Sequence, residues 1–443
     1  MKQHLAVILV LFTPFIFSCK KDFNRQTGNN LIEELGRHDT KALKIAIISD
    51  IHYMHPALLI NNGANGTAFQ NYLNQDPKLL QFSDPIFRNV MDQISIEHPD
   101  ILLIPGDLTK DGEKIGHQAM ASFFNKIQND GIKVYVVPGN HDINNAKAKK
   151  YDGNNDYPVS ITSKTDFENI YNDFGYKNAI ARDINSLSYV VEPEPDLRII
   201  GIDACKYEEY GPEGDVAAGR IKPTTLIWIL DQLAKAKQEH VTIFAMMHHN
   251  LIEHYAGQAK LDPGYVIDDY QKVVNQLIEA GLKIIFTGHY HANDITSYHH
   301  NGKELFDIET GSLVTAPSPY RFIVMNDSML NICTRTVHFI NANLPGSLNF
   351  PVYANTFLSQ HLDGYFNYYL TSKLGAPAQL ATFASPLFRN GIMAHFAGDE
   401  KMPADQRKQI DNLATMSPQL AGIVTTLWTD LGIKDNNTSI KYK

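Results

Sequence analysis

The chain reads as an α/β domain followed by a helical tail, and three observations carry that reading. Five short runs, Ile45–Ile48, Ile101–Ile104, Val134–Val137, Val241–Met247 and Ile284–Phe286, are apolar and rich in β-branched residues, as strands buried on both faces are. Helix-spaced apolar stripes lie between them. After Asn341-Ala342-Asn343-Leu344-Pro345-Gly346 the β-branched runs give way to helical spacing.

Taken in order, Met1–Phe17 has a basic start at Lys2, an apolar stretch from Leu5 to Phe12, and Ser18-Cys19 just after it. This is the layout of an export signal, too short to span a bilayer comfortably. Cys19 followed by Lys20-Lys21-Asp22 resembles a bacterial lipoprotein acceptor, although Phe17 is bulkier than that pattern prefers. Residues 1–19 are therefore expected to be a signal peptide of lipoprotein type, and 20–41 a polar tether holding an exported protein at a membrane. The catalytic domain is expected over 42–345. Within it Asp84-Pro85 reads as a capped helix start with Ile86, Val90 and Ile94 on one face, and Met120, Phe123, Phe124 and Ile127 form the next stripe. Pro223–Lys237 and Tyr265–Ala280 supply two more. Leu187–Val191 and Arg198–Ile202 read as strands of a second sheet, closed by a hairpin of Tyr320–Met325, the turn Asn326-Asp327 and Leu330–Ile340. The insertion Tyr53–Asp84 and the polar loop Asn144–Tyr157 are candidate pocket walls. The tail, 346–443, is expected to hold four helices near Tyr353–Lys373, Ala376–His395, Ala404–Met416 and Pro418–Leu431, the last capped by Ser417.

Each of the five strands leads into residues that bind metals: Asp50-x-His52, Gly106-Asp107, Gly139-Asn140-His141-Asp142, His248-His249 and Gly288-His289-x-His291. Their ends are expected to converge on one edge of a sheet, where ligands bind in open α/β folds. Two cations roughly 3.5–4 Å apart repel, and a carboxylate bridging both is the simplest way to hold them. Asp107 is the natural bridge, with Gly106 allowing a sharp turn after the strand. The i, i+2 pairs would project from one side of an extended segment. Asn140 offers a neutral carbonyl oxygen. Imidazole and carboxylate without thiolate suit Mn, Fe, Zn or Co, divalent or trivalent. His141, which no coordination shell requires, is the candidate general acid, and Asn140 and His141 would also face the substrate.

These blocks together resemble the calcineurin-like metallophosphoesterase superfamily over roughly Lys44 to His338. The resemblance implies a four-layer αββα sandwich with a metal centre at one rim. It implies one metal held by Asp50, His52, Asp107 and His291, and the other by Asp107, Asn140, His248 and His289. It further implies a metal-bridging hydroxide attacking phosphorus while His141 assists the leaving group. Gly139-Asn140-His141-Asp142 and Met247-His248-His249 are most similar to the cyclic-nucleotide phosphodiesterase branch, and the helical tail is similar to that of some two-domain members. Asn250 departs from it, standing where that branch often has proline.

Blander readings apply elsewhere. With 18 histidines, His4, His98, His117, His240, His299, His300 and His361 read as solvated or satisfied side chains. The adjacency of His248 and His249 leaves open which ring faces the metals; the family pattern favours His248, with His249 a further substrate-facing candidate. His55 reads as a loop histidine, the alternative being the substrate entrance. Asp142 reads as a cap of the segment that follows, the alternative being a partner for His141. Arg321 could pair with a phosphate or form a surface salt bridge. Cys205 and Cys333 sit in strand-like contexts and read as two buried thiols.

A formal charge of −9 argues against a broad basic face for a nucleic-acid polymer, but not against a small phosphoester, because the pocket field would be set by the metals. The leading expectation is a two-metal phosphodiesterase acting on cyclic nucleotides. The rival enzymatic expectation is a broad phosphatase or a phospholipid or nucleotide-sugar pyrophosphatase. The third is a lipid-anchored, non-catalytic binding protein, whose signature would be lost ligands; none is lost.

Overall fold

A computed structural model describes residues 42–398 and 400–443. The export segment, His4, Cys19 and the tether lie outside the described residues. No helix among the described residues is long and apolar enough to cross a membrane.

Two sheets form the centre of the molecule. The six-stranded sheet runs in the order Asn437–Lys441, Met329–Thr336, Pro319–Met325, Leu43–Ile47, Ile101–Pro105 and Lys133–Val137. Its last three strands are parallel. The seven-stranded sheet runs Ile295–His300, Lys303–Glu309, Ile284–Thr287, Thr242–Met247, Leu197–Ile202, Tyr189–Glu194 and Ala181–Arg182. The ligand-bearing strands are therefore divided between two sheets instead of ending on one, and the hairpin 319–336 closes the first sheet, not the second. Both departures have one cause. Strand pairing is set by hydrogen-bonding partners far along the chain, which local periodicity does not encode.

Alternation along the strands builds the layers. In the seven-stranded sheet Ile199, Phe244, Met246, Ile284 and Phe286 join the core shared with Ile45, Ile47 and Val136 of the other sheet. Their neighbours Ile200, Ile202, Ala245, Met247 and Ile285 pack with Ile229, Leu233, Val274 and Leu277 of the helices Pro223–Glu239 and Tyr270–Ala280. Helices Ser83–Glu97 and Lys114–Asn129 contribute Ile86, Val90, Ile94, Met120, Phe124 and Ile127 to the shared core. The result is a four-layer α/β/β/α sandwich. Each aliphatic side chain so buried contributes about 1.5–3 kcal/mol.

The tail helices are Phe350–Tyr368, which continues as a wider turn over Tyr369–Lys373, then Ala378–Ala397, Ala404–Met416 and Pro418–Thr426. Ser417 caps the last one through Leu420 N, as its side chain suits it to do. Leu358, Leu362, Phe388, Leu413 and Val424 extend the main core without a break. The tail then returns: Asn437–Lys441, which helical spacing does not predict, pairs antiparallel with Met329–Thr336.

Arg321 is neither phosphate-facing nor on the surface. It is fully buried, with Nε and Nη2 donating to the Glu309 carbonyl at 3.2 and 2.7 Å and Nη1 to Thr334 Oγ1 at 2.8 Å and to the Asp435 carbonyl. It stands two residues before core Ile323, on the inward face of its strand. The Cys205 side chain is buried and that of Cys333 half-buried.

Candidate metal centre

The polar residues that follow the five strands meet at one rim, and the backbone that delivers them is unusual. Asp50, His52, Asp107, His289 and His291 have φ of 47°, 41°, 50°, 81° and 68°. The i, i+2 pairs thus come together by turning through the left-handed region, not by extending. Non-glycine residues there are strained by about 1–3 kcal/mol each, a conformation that survives where surroundings over-determine it. Gly106, at φ 86°, makes the expected sharp turn. Gly139 has a different duty: a Cβ on it would stand 2.1 Å from Asp107 Oδ1.

The donors form overlapping groups. Asp50, His52 and His291 make one; Asp107, His248 and His289 another; His52, Asp107 and His141 a third, the donor atoms within each lying within 4.8 Å of one another. Asp107 Oδ2 is 3.6 Å from His52 Nε2 and 3.3 Å from His248 Nε2, so this carboxylate stands between the two clusters. His291 Nε2 lies 3.5 Å from Asp50 Oδ1 and 3.3 Å from His52 Nε2. Asn140 Oδ1 is 3.1 Å from His248 Nε2.

Partners outside the cluster fix which atom of each ligand candidate points in. His248 Nδ1 donates to the Pro105 carbonyl at 2.8 Å, leaving Nε2 as the free lone pair. His289 does the reverse, donating from Nε2 to the Gly264 carbonyl at 3.1 Å and leaving Nδ1. His291 Nδ1 meets Thr315 Oγ1 at 3.0 Å. Asn140 Nδ2 donates to Asp215 Oδ2 at 2.8 Å, which turns its carbonyl oxygen inward. Asp50 Oδ2 accepts from Ser49 Oγ at 2.6 Å and from His289 N at 3.0 Å.

Whether cations fit can be tested on these atoms. Asp50 Oδ1 is buried with no hydrogen-bond partner, and the inward nitrogens of His52 and His291 face each other at 3.3 Å. Two lone pairs and an orphaned carboxylate oxygen at such spacing are costly unless a cation lies among them. Burial and the charge of Lys78 hold His52 well below its ordinary pKa, and burial with His248 lowers His289 to about 3. Both rings are therefore neutral, as ligands must be. Burial raises the Asp107 carboxyl, but the imidazoles of His248 and His141, themselves carried up to about 9, outweigh it and keep it ionised.

His141 belongs to the third of these groups, but it is held by an acidic partner of its own. Its backbone N–H donates to Asp107 Oδ1 at 2.9 Å, and its ring Nδ1 lies 3.0 Å from Asp111 Oδ1. Burial disfavours the imidazolium, yet Asp107 and Asp111 carry its pKa up to about 9. Its Nε2 is 3.9 Å from Asp215 Oδ2.

Several expectations are corrected here. Asp142 caps no following segment and does not hold His141: its buried carboxylate accepts from Leu108, Thr109 and Gly139 N–H at 3.2, 3.1 and 2.8 Å, tying together the loops that carry Asp107 and Asn140. The partner of His141 is Asp111. His249 lies outside the donor groups; its Nε2 donates to the Ala217 carbonyl at 3.0 Å and its ring packs on His289 with centroids 4.4 Å apart. His55, by contrast, is the loop histidine expected, and it caps the turn Pro56–Leu58 by accepting from Ala57 N. Helix Tyr270–Ala280 begins five residues later than expected, because Tyr265 instead lies against His289, ring centroids 4.8 Å apart. The two expected pocket walls are one structure: Leu59–Ile60, Lys149–Asp152 and Asn155–Pro158 form a small sheet over Met54, Leu58, Phe69 and Tyr151.

Three further residues at the site escaped the sequence reading. Asp111 and Asp215 position His141 and Asn140 from loops with no periodic signal. Lys78, buried in the insertion and paired with Asp76 at 3.2 Å, lies near enough to Asp107, Asp111 and His141 to act on their charges.

Comparison with known proteins agrees with this geometry. The family model "Calcineurin-like phosphoesterase" matches residues 43–293, more than half of the chain. No curated protein matches in sequence. Similar solved structures include a dimetal phosphatase from Danio rerio (14% identity, TM-score 0.45, 66% of this chain and 96% of that one). GAP50, described as the anchor in the inner membrane complex of Plasmodium, is 10% identical, with a TM-score of 0.35 over 72% of this chain and 95% of its own. The phosphopantetheinyl hydrolase of Mycobacterium tuberculosis is 12% identical, with a TM-score of 0.29 over 61% and 90%. At such scores these likenesses add no weight of their own, and the assignment stands on the family match: the chain belongs to the calcineurin-like phosphoesterase family.

Proposed function

We propose that the chain hydrolyses phosphodiesters and that cyclic nucleotides are its preferred substrates. The observation that carries the reading is Asp107 standing between two buried donor clusters, 3.6 Å from His52 Nε2 and 3.3 Å from His248 Nε2, with His141 beside it. Asp50, His52, Asp107 and His291 would hold one cation, and Asp107, Asn140, His248 and His289 the other. Bound there, cations of the Mn, Fe, Zn or Co class supply Lewis acidity towards phosphate oxygens and water whose pKa is lowered towards about 7. His141 keeps one ring proton on Nδ1 against Asp111 and holds the other on Nε2, from which it protonates the leaving oxygen as the P–O bond breaks. Lys78 adds positive charge from the insertion, near enough to act on Asp107 and His141, and Tyr265 lines the wall against His289. The spellings Gly139-Asn140-His141-Asp142 and Met247-His248-His249 favour cyclic nucleotides.

A phosphomonoesterase is the second reading, because Lys78 and His141 together supply more positive charge than a singly charged diester requires. Rates of the manganese-loaded protein on a cyclic nucleotide, a glycerophosphodiester and a phosphomonoester separate the two. Fastest turnover of the cyclic nucleotide is expected. Preference for the monoester would replace the first reading by the second.

Export from a bacterial cell and anchoring through Cys19 belong to the same proposal, resting on Lys2, Leu5–Phe12 and Ser18-Cys19. The intact mass of the membrane-extracted chain tests it: a diacylated N-terminal cysteine is expected, and an unmodified N-terminus would refute it.

A further inference from the structure

A second set of ligand-type side chains lies where the tail meets the seven-stranded sheet. Asp294 follows His291 by three residues and precedes strand Ile295–His300. His395 is on the last turn of helix Ala378–Ala397, and Glu400 is on the segment leaving it. Their donor atoms lie within 4.8 Å of one another, with His395 Nδ1 2.6 Å from Glu400 Oε1 and 3.9 Å from Asp294 Oδ1. The side chains are 1%, 2% and 1% exposed for Asp294, His395 and Glu400.

A simple histidine–glutamate hydrogen bond does not account for the arrangement. It leaves Asp294 Oδ1, Glu400 Oε2 and His395 Nε2 buried with no hydrogen-bond partner among the described residues. The nearby imidazole of His254 serves the other oxygen of Asp294, its Nδ1 2.6 Å from Oδ2 and its Nε2 3.4 Å from Asp307 Oδ2, and leaves Asp294 Oδ1 without a hydrogen-bond partner. More acid surrounds the cluster: Glu400 also groups with Asp430 and Asp435. Two carboxylates beside one imidazole, each with an oxygen left without a hydrogen-bond partner and sealed from water, form a set that a cation would complete.

The approach of the backbone fits a clamp. Gly398, at φ 75°, is pressed so close to the sheet that a Cβ would stand 2.5 Å from the Asn293 carbonyl oxygen. Asn436 Nδ2 donates to the Ala397 carbonyl at 3.0 Å, and Asn293 Nδ2 to Asn436 Oδ1 at 2.9 Å. Three stretches of chain, 293–295, 395–398 and 435–436, thus converge on one point.

We propose that Asp294, His395 and Glu400 form a further cation site, separate from the Asp107 centre, which takes one divalent ion of the Mn or Zn class and clamps the tail to the catalytic domain. Two carboxylates and an imidazole suit such an ion, and three protein ligands leave room for water. Its function is structural, with no part in phosphoester cleavage.

The test counts metal on the full chain, loaded with manganese or zinc and desalted, by elemental analysis. Glu400→Gln preserves size and can still bond to His395, and it should lose about one equivalent per chain relative to wild type. Asp107→Asn, which removes the bridge of the other centre, should retain about one equivalent, and this should vanish when Glu400→Gln is added. In the Asp107→Asn background, manganese should raise the melting temperature by several degrees, and Glu400→Gln should abolish that rise. Equal metal content in wild type and Glu400→Gln, or an Asp107→Asn protein whose content is untouched by Glu400→Gln, would overturn the proposal. Circular dichroism checks the fold of Glu400→Gln; should it be lost, Asp294→Asn is measured in its place, with the same outcomes deciding. Because the difference is read against wild type, a failure of the Asp107 centre to bind metal would show separately, as wild type falling to one equivalent.

Discussion

His141 and Asp107 are joined by a hydrogen bond of 2.9 Å, yet their removal should have different consequences. Asp107 stands between two donor clusters, so Asp107→Asn is expected to lose turnover and the metal of its own centre, keeping only the equivalent held by Asp294, His395 and Glu400. His141→Ala is expected to keep the metal and lose about 10²–10⁴-fold in kcat, the usual worth of a placed general acid. Metal analysis beside kcat decides; unchanged turnover in His141→Ala would remove it as the acid. Asp111 acts through His141, at 3.0 Å from its Nδ1. Asp111→Asn should lower kcat by about 10–100-fold, as the loss of supporting partners does. It should also pull the basic limb of the pH–rate profile downward, since the carboxylate that favours the charged ring is gone; a profile with an unmoved basic limb would show Asp111 to be merely structural. At this scale legibility depended on whether a residue was tied to a strand end. Asp50, His52, Asp107, Asn140, His248, His289 and His291 each follow a β-branched run, and the run announces them. Asp111, Asp215 and Lys78 follow nothing periodic, and Asp215 reaches Asn140 from 75 positions away. Arg321 carried a readable sign that was missed, its place on the same face of the strand as Ile323.

Elements carry the site through interactions that no ligand makes. Asp142 ties the loops after two strands together, and His117 supports it from helix Lys114–Asn129: Nε2 lies 3.0 Å from the Asp142 carbonyl oxygen and Nδ1 2.8 Å from Tyr171 OH. Burial lowers the pKa of His117 from 6.5 to about 3, partly offset by the Asp142 carbonyl. Above pH 6.5 the ring is neutral in folded and unfolded chains, so its full contribution is present. As the pH falls from 6.5 towards 3 the unfolded chain takes up a proton that the folded ring refuses, and stability drops with a slope of at most about 1.4 kcal/mol per pH unit. Urea unfolding of the metal-loaded protein should therefore show a smaller loss between about pH 7 and about pH 5 in His117→Gln than in wild type; equal losses would contradict the buried, neutral assignment. Strand identities were legible from β-branched composition, and helix faces from their stripes. Which sheet each strand joins was not, because Ile323 pairs with Ile45 across most of the chain. The left-handed turns at Asp50 and His289 were also hidden, since glycine is the residue that advertises them and neither is glycine.

At the largest scale, the described residues form a sandwich whose rim is completed by chain from both ends of the catalytic sequence and whose tail returns to its first sheet. The four tail helices were readable from spacing, but Asn437–Lys441 was not: Asn437, Ser439 and Lys441 face solvent, and of the two inward positions only Ile440 is apolar, too little for the alternation to show in the sequence. The two walls of the pocket, read separately, proved to be one small sheet, because Leu59–Ile60 and Lys149–Asp152 pair over a gap that sequence cannot span. Across all these scales the central claim is that distant side chains cage a pair of cations around Asp107. Anomalous diffraction from crystals soaked in manganese tests it most directly. Two peaks are predicted, one among Asp50, His52, Asp107 and His291 and the other among Asp107, Asn140, His248 and His289; a single peak, or none touching Asp107, would contradict the account.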